Sequence, residues 1–210
     1  MVVDLTHIED FFLAKELTCN IIFFRLLTER KNMKEVKIFA RAGQGAITTA
    51  AILGEALFHE EKYAYAFPHF GAARMGAPMN AYLRFDSQPI RLRSKVYAAD
   101  YLLVVDPTLI ETEKVFSGLK PGTKVIVAVR ENTKLPQIKG VEIFPLPAEA
   151  IAQEILGAPY ANTVLLGAFA KVTQELKLDS VLKAVSGRFA GKPAIQEKNL
   201  QAVKRGYESV

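Results

Sequence analysis

A glycine-containing turn is the first place in this 210-residue sequence where residue types and spacing could bind a ligand. It lies between a strand-like run and an alanine-rich helical run, and it reads Arg41-Ala42-Gly43-Gln44-Gly45-Ala46-Ile47-Thr48-Thr49. A strand, a glycine turn and a helix N-terminus place backbone N–H groups and the helix dipole where an anion can sit. The candidate contacts are Gly43, Gln44, Gly45 and Thr48. The turn lacks the third glycine of a dinucleotide fingerprint and the Gly-Lys-Ser/Thr of a Walker loop. A tight β–α turn that needs glycine only for its backbone angles explains the spacing equally simply.

The stretch from Phe67 to Pro78 is a second candidate site, because it contains two glycines and two prolines and has little periodicity. Long ordered loops of this kind are often functional. His69 and Arg74 would be its polar groups. A structural hydrogen bond for His69 and a solvated or interfacial charge for Arg74 are the alternatives.

A basic cluster overlaps this loop and continues to Tyr97, with Asp86 as its one acid. Its members are Arg74, Arg84, Arg91, Arg93 and Lys95. Arg91 and Arg93 alternate on a predicted strand over Ile90–Arg93, so we expect them on one face. Such a face could meet phosphates or an acidic partner, or it could be solvated or form ion pairs between subunits.

Composition argues against several kinds of site. The net charge of +5 comes without a dense Lys/Arg block, so no nucleic-acid partner is predicted. The single cysteine, Cys19, and three scattered histidines predict no metal site in this chain. No nucleophile or paired-carboxylate motif stands out, so we predict no catalytic residue and favour a subunit of something larger. The sequence shows no membrane span or signal peptide, and we expect a cytoplasmic protein.

Alternating segments predict a layered, Rossmann-like α/β domain with a largely parallel or mixed sheet and a helical C-terminal third. The predicted strands are Val36–Ala40, Tyr63–Phe67, Asn80–Phe85, Ile90–Arg93, Tyr101–Asp106, Val125–Val129 and Val141–Phe144. The predicted helices are Ala46–His59, Ala148–Leu156, Asn162–Leu176, Leu178–Val185 and Ala194–Tyr207. A further helix start is predicted at Asp106-Pro107-Thr108.

Residues 1–32 differ from the predicted domain over 33–210, and we expect them to be an N-terminal extension. Thr6-His7-Ile8-Glu9 has the form of a capping box that would begin a helix. A strand-like run begins just after Met33, which favours Met33 as the natural start. A docking helix that covers a hydrophobic patch is the alternative.

Five motifs in register resemble one family. They are Arg41-Ala42-Gly43-Gln44-Gly45, Ala64-Tyr65-Ala66-Phe67-Pro68-His69-Phe70-Gly71, Arg74-Met75-Gly76-Ala77-Pro78, Ile90-Arg91-Leu92-Arg93-Ser94 and Asp106-Pro107-Thr108-Leu109. Together they closely resemble the gamma subunit of pyruvate (2-oxoacid):ferredoxin oxidoreductases, over about residues 33–207. The Met-Gly-Ala-Pro form is more similar to the pyruvate and branched-chain enzymes than to the 2-oxoglutarate ones, and Ala42 stands where the family most often has glycine.

The resemblance implies a complex of alpha, beta, gamma and delta subunits. It converts a 2-oxoacid and coenzyme A to acyl-CoA and carbon dioxide, and it reduces ferredoxin. In that family thiamine diphosphate with magnesium lies between the alpha and beta parts, and iron–sulfur clusters lie in beta and delta. This chain would then hold none of these cofactors and be inactive alone.

Carried over to this sequence, the candidate residues near the coenzyme A or diphosphate region would act by positioning and electrostatics. They are Gly43, Gln44, Gly45, Thr48, His69 and Arg74. A stand-alone nucleotide- or CoA-binding module and a purely structural scaffold remain alternatives.

Overall fold

The computed structural model describes residues 32–69 and 75–210. All the helices and strands among them belong to one unit, Lys34–Val210. The predicted N-terminal helix and its capping box, Cys19 and Arg74 lie outside the described residues.

A six-stranded sheet forms the centre of this unit, and it is mixed, one of the two forms that the sequence predicts. Its strands are β1 (Lys34–Arg41), β2 (Tyr63–His69), β3 (Pro78–Asp86), β4 (Tyr101–Val104), β5 (Lys124–Ala128) and β6 (Glu142–Leu146). Their order across the sheet is β2-β3-β1-β4-β5-β6. β1, β4, β5 and β6 are parallel neighbours, whereas β3 pairs antiparallel with both β1 and β2. β2 therefore forms one edge, where Pro68 is tolerated because an edge strand can leave one side of its backbone unpaired.

Five of the six helices pack against one face of the sheet, and the last four of them make up the C-terminal third of the chain. The six helices are α1 (Ala46–Phe58), α2 (Leu109–Thr112), α3 (Ala148–Leu156), α4 (Ala161–Thr173), α5 (Leu178–Arg188) and α6 (Pro193–Glu208). All five predicted helices are present, and the predicted start at Asp106 leads into the four-residue α2. Apolar periodicity and chain breakers fix the ends: Gly157, with a φ of +75°, ends α3, and Pro193 begins α6.

The predicted strand over Ile90–Arg93 is wrong, because this segment has no regular structure. Beside β3, the two available edges are already taken by β1 and β2. The buried Arg84 side chain on β3 instead donates hydrogen bonds to the carbonyl oxygens of Leu92 and Ser94. The segment therefore crosses the face of the sheet, and the expected strand alternation of Arg91 and Arg93 does not exist.

α4 and α6 cross in direct backbone contact. A Cβ atom on Gly167 would lie 1.9 Å from the Val203 carbonyl oxygen, and one on Gly206 would lie 2.0 Å from the Val164 carbonyl oxygen. Real Cβ atoms do not approach so closely. Glycine is thus required on both helices for this crossing.

Within residues 32–69 and 75–210, no single helix has both the length and the apolar character to cross a membrane. The sharply bent pair α3–α4 meets that test by length and composition only.

Candidate functional site

The carboxyl ends of β1 and β4 lie side by side at the middle of the sheet. The helices that follow them pack on opposite faces: α1 joins the larger core cluster, and Leu109 of α2 joins the cluster on the other face. Helices that leave neighbouring parallel strands toward opposite faces open a crevice at the strand ends, where α/β sheets commonly bind ligands. The glycine turn lies in this crevice.

The glycine turn has backbone angles that favour glycine. Gly43 has a φ of +99° and Gly45 a φ of +81°. A Cβ atom on Gly45 would lie 2.7 Å from Nδ2 of Asn162 at the start of α4. Gly45 is the N-cap of α1 and supplies no side-chain cap to the first turn of the helix. The backbone N–H groups of that turn are thus suited to bind an anion.

A hydrogen-bond network fixes the turn to the end of β4. Gln44 accepts a hydrogen bond from the backbone N–H of Arg41 (2.7 Å), and its amide nitrogen donates to Asp106 (2.7 Å). The other carboxylate oxygen of Asp106 accepts from the backbone N–H and hydroxyl of Thr108, at 2.9 and 2.6 Å. Arg41 lies 3.3 Å from the same carboxylate and donates to the Gly76 carbonyl oxygen. The turn, the β4–α2 connection and Gly76 are thus held by one buried carboxylate.

The charge of Asp106 is stabilised by this network although the residue is only 3% exposed. Burial alone would raise the pKa of Asp106. The hydrogen bonds from Thr108 and Gln44, together with the Arg41 guanidinium, outweigh burial and hold the pKa below its usual value. Asp106 is thus a fixed anion that orients the turn.

A cavity of 450 Å³ opens between the glycine turn and the C-terminal helices. Its polar side includes Thr48, Asn162 and Lys198, and its apolar side includes Leu156 and Ile195. Asn162 and Lys198 were not among the predicted contacts, since nothing in their local pattern marks them. They reach the glycine turn only through the packing of α4 and α6 beneath it.

A second cavity of 280 Å³ adjoins the first and shares Gly43, Gln44 and Tyr160 with it. On its far side Arg130, which follows β5, forms two hydrogen bonds to the Glu149 carboxylate, at 2.6 and 2.8 Å. The crevice thus continues from the glycine turn toward the end of β5.

Of the six predicted contact residues, the structure brings four together at the first cavity. They are Gly43, Gln44, Gly45 and Thr48. His69 is exposed at the end of β2, 5.8 Å from the Tyr82 ring centroid, and it does not line this cavity. In the described part of the chain, no three His, Cys, Asp or Glu side chains lie close enough together to hold a metal ion.

Comparison with known proteins finds a family and relatives whose names agree with one another. Residues 35–209 match the pyruvate ferredoxin/flavodoxin oxidoreductase family. The pyruvate synthase subunit PorC of Methanothermobacter thermautotrophicus is 43% identical over 180 residues, which cover 85% of this chain and 96% of the relative. The pyruvate/ketoisovalerate oxidoreductases common subunit gamma of Thermococcus litoralis is 42% identical over 181 residues, with 84% and 96% covered.

Solved structures show the same fold. The pyruvate oxidoreductase subunit PORC of Thermotoga maritima superposes with a TM-score of 0.71 and 29% identity, over 85% of this chain and 97% of that one. The 2-oxoglutarate:ferredoxin oxidoreductase of Magnetococcus marinus, solved with 2-oxoglutarate, coenzyme A and succinyl-CoA bound, has a TM-score of 0.72 at 20% identity. There the match spans 86% of this chain but 32% of the larger one. This chain belongs to the pyruvate ferredoxin/flavodoxin oxidoreductase family and corresponds to its gamma subunit.

Proposed function

We propose that this chain works in a cytoplasmic complex with alpha, beta and delta subunits. The complex converts pyruvate or a branched-chain 2-oxoacid, together with coenzyme A, to acyl-CoA and carbon dioxide, and it reduces ferredoxin. Within that complex, the chain's glycine turn and cavity bind part of coenzyme A. The observation that carries the proposal is the cavity of 450 Å³ at the N-terminus of α1. The relatives named for pyruvate and for ketoisovalerate support the substrate class.

The lining of the cavity suits coenzyme A. The first turn of α1 offers N–H groups and Thr48 a hydroxyl, while Lys198 adds a positive charge. These groups match a diphosphate, whose charge is stabilised by helix N-termini and cations. Leu156, Phe189 and Ile195 form an apolar wall of the kind that packs against an adenine ring or a pantetheine chain.

The other cofactors belong to the partner chains in this proposal. Thiamine diphosphate with magnesium supplies the decarboxylation chemistry when bound by the alpha and beta parts, and iron–sulfur clusters in beta and delta carry the electrons. This chain's residues bind and orient coenzyme A through the glycine turn, which Asp106 and Gln44 hold in place. His69, which does not line this cavity, and Arg74 are proposed as further contacts.

Steady-state kinetics of the assembled complex test the proposal. We expect Lys198→Ala to raise the KM for coenzyme A about threefold to tenfold, from the loss of a charge-assisted contact of roughly 1 kcal/mol. The KM for the 2-oxoacid should not change. Lys183→Ala, at an exposed position on α5, is the matched control. Unchanged constants for Lys198→Ala and Gln44→Ala would instead favour a scaffold without ligand contact.

The presence of the whole cavity within one chain favours a second candidate, a module that binds coenzyme A or a nucleotide alone. Calorimetry on the isolated chain separates the two. Saturable heat with coenzyme A would support the stand-alone module, and no heat would restrict binding to the complex.

A further inference from the structure

The segment that replaces the predicted strand over Ile90–Arg93 carries a row of exposed basic side chains. We name residues 90–97 the basic strap. Arg91, Arg93 and Lys95 are exposed, and Tyr97 exposes 76% of its surface. Val96 points inward and is 1% exposed, packed with Tyr82 and Ala99. The strap is therefore an irregular segment that makes an apolar contact on its inner side and exposes basic side chains on its outer side.

Arg84 holds the strap in this conformation from beneath. Its guanidinium is 1% exposed and donates to the carbonyl oxygens of Leu92 (3.3 Å), Ser94 (2.7 Å) and Lys95 (3.3 Å). Glu35 on β1 balances the charge at 2.7 Å. Burying the Arg84 guanidinium is a costly way to satisfy three carbonyl groups, because this charge must leave water, whereas Glu35 keeps 19% of its side chain exposed. Arg84 thus ties three backbone carbonyl groups of the strap to the sheet.

None of Arg91, Arg93 and Lys95 forms an ion pair with the residues in 32–69 or 75–210. Arg93 instead stacks over Tyr65 of the edge strand β2, with 4.0 Å from its Cζ atom to the ring centroid. Burial and then repulsion from Lys95 lower the pKa of Lys37 on β1. Arg91, Arg93 and Lys95 therefore expose positive charges that no ion pair among the described residues neutralises.

We propose that the basic strap is a docking surface for an acidic segment of another subunit in the oxidoreductase complex. The inference rests on the proposed function. Arg91, Arg93 and Lys95 fall within five residues of one another and are all exposed, so an acidic segment of a partner chain can meet several positive charges at once. Tyr97 at the end of the row adds a rigid aromatic contact of the kind enriched at interfaces.

Charge reversal in the complete complex tests the proposal. The double variant Arg91→Glu/Lys95→Glu leaves Arg84, Arg93 and the buried side of the strap intact. We expect its dissociation constant for the partner subunits to rise at least about tenfold at low salt, with a weaker dependence on salt than in wild type. Lys183→Glu/Lys204→Glu carries the same charge change on exposed helical positions and should assemble like wild type. Equal assembly of both variants would overturn the proposal, and circular dichroism confirms that both are folded.

Zero-length carbodiimide cross-linking of the wild-type complex gives an independent result. We expect the Lys95 ammonium to couple to an Asp or Glu of a different subunit, identified by mass spectrometry. Lys95 coupling only within this chain, or to a second copy of it, would overturn the proposal. If alpha, beta and delta subunits purify with wild type but neither charge reversal nor cross-linking shows a contact with the strap, only this inference fails. If no such subunit purifies with wild type, the proposed function fails and the inference fails with it.

Discussion

Replacing Gly167 by alanine should destabilise the domain, although alanine is the better helix former. The new Cβ would lie 1.9 Å from the Val203 carbonyl oxygen, so α4 and α6 must move apart by about 1 Å or more. Overpacking of this kind costs about 1–3 kcal/mol, occasionally more, and the rigid backbone on both sides favours the upper end. The higher helix propensity of alanine offsets about 1 kcal/mol of this loss in the free energy of unfolding. We therefore expect a net loss of about 2 kcal/mol.

Thermal and urea unfolding of the isolated chain measure this effect. For a domain of this size, 2 kcal/mol corresponds to a decrease in Tm of roughly 4–8 °C. Gly54→Ala in α1 is the matched control, because its Cβ would lie 3.7 Å from the nearest atoms, an ordinary contact. It should stabilise by roughly 0.5–1 kcal/mol. A Gly167→Ala chain that melts at or above the wild-type temperature would refute the reasoning that the two backbones touch.

Three further predictions concern buried or strained positions. Arg84→Met leaves the Glu35 charge and three carbonyl groups without their donor. Urea unfolding should therefore show a free energy of unfolding lower by about 3 kcal/mol, and proteases should cleave the basic strap faster than in wild type. Asp106 stays ionised to lower pH in the folded chain than in the unfolded one, because its pKa is lowered by folding. Its contribution to the free energy of unfolding is therefore complete above about pH 4 and is lost as the pH falls through the lowered pKa of the folded state. Urea unfolding from pH 2 to 6 should therefore show a smaller rise in stability with pH for Asp106→Asn, and an unchanged slope would contradict the network. Gly45→Ala should lower the free energy of unfolding by about 2 kcal/mol, because Gly45 has a positive φ and a Cβ atom there would clash with Asn162. Thermal melting should show that the double variant Gly45→Ala/Asn162→Ala regains part of the lost stability, and no regain would contradict the clash.

Local patterns predicted the elements that depend on local signals. The helix from Ala148 to Leu156 has the predicted bounds because an apolar stripe and Gly157 define it within one segment. The glycine turn was found for the same reason: a strand, two glycines and a helix start lie next to one another in sequence. These features require no knowledge of what packs against them.

The errors and omissions come from contacts between distant segments. By sequence Arg84 belongs to a basic surface cluster, whereas the structure buries it against Glu35, its partner across the β1–β3 pair. Ile90–Arg93 has the composition of a strand, but β1 and β2 already flank β3, and local sequence does not show which edges are free. Lys198 and Asn162 line the candidate cavity only because α4 and α6 pack beside the glycine turn.

The backbone contact between α4 and α6 also constrains how the cavity can move. Asn162 lies at the start of α4 and Lys198 within α6, and both line the cavity beside the glycine turn. Where Gly167 and Gly206 bring the two backbones into contact, no layer of side chains separates them, so we expect the two helices to move together. The distance between Asn162 and Lys198 is thereby nearly constant. We therefore expect any widening of the cavity to occur on its other side, where the chain passes from Leu156 to Tyr160 between α3 and α4 and where Tyr160 is 59% exposed.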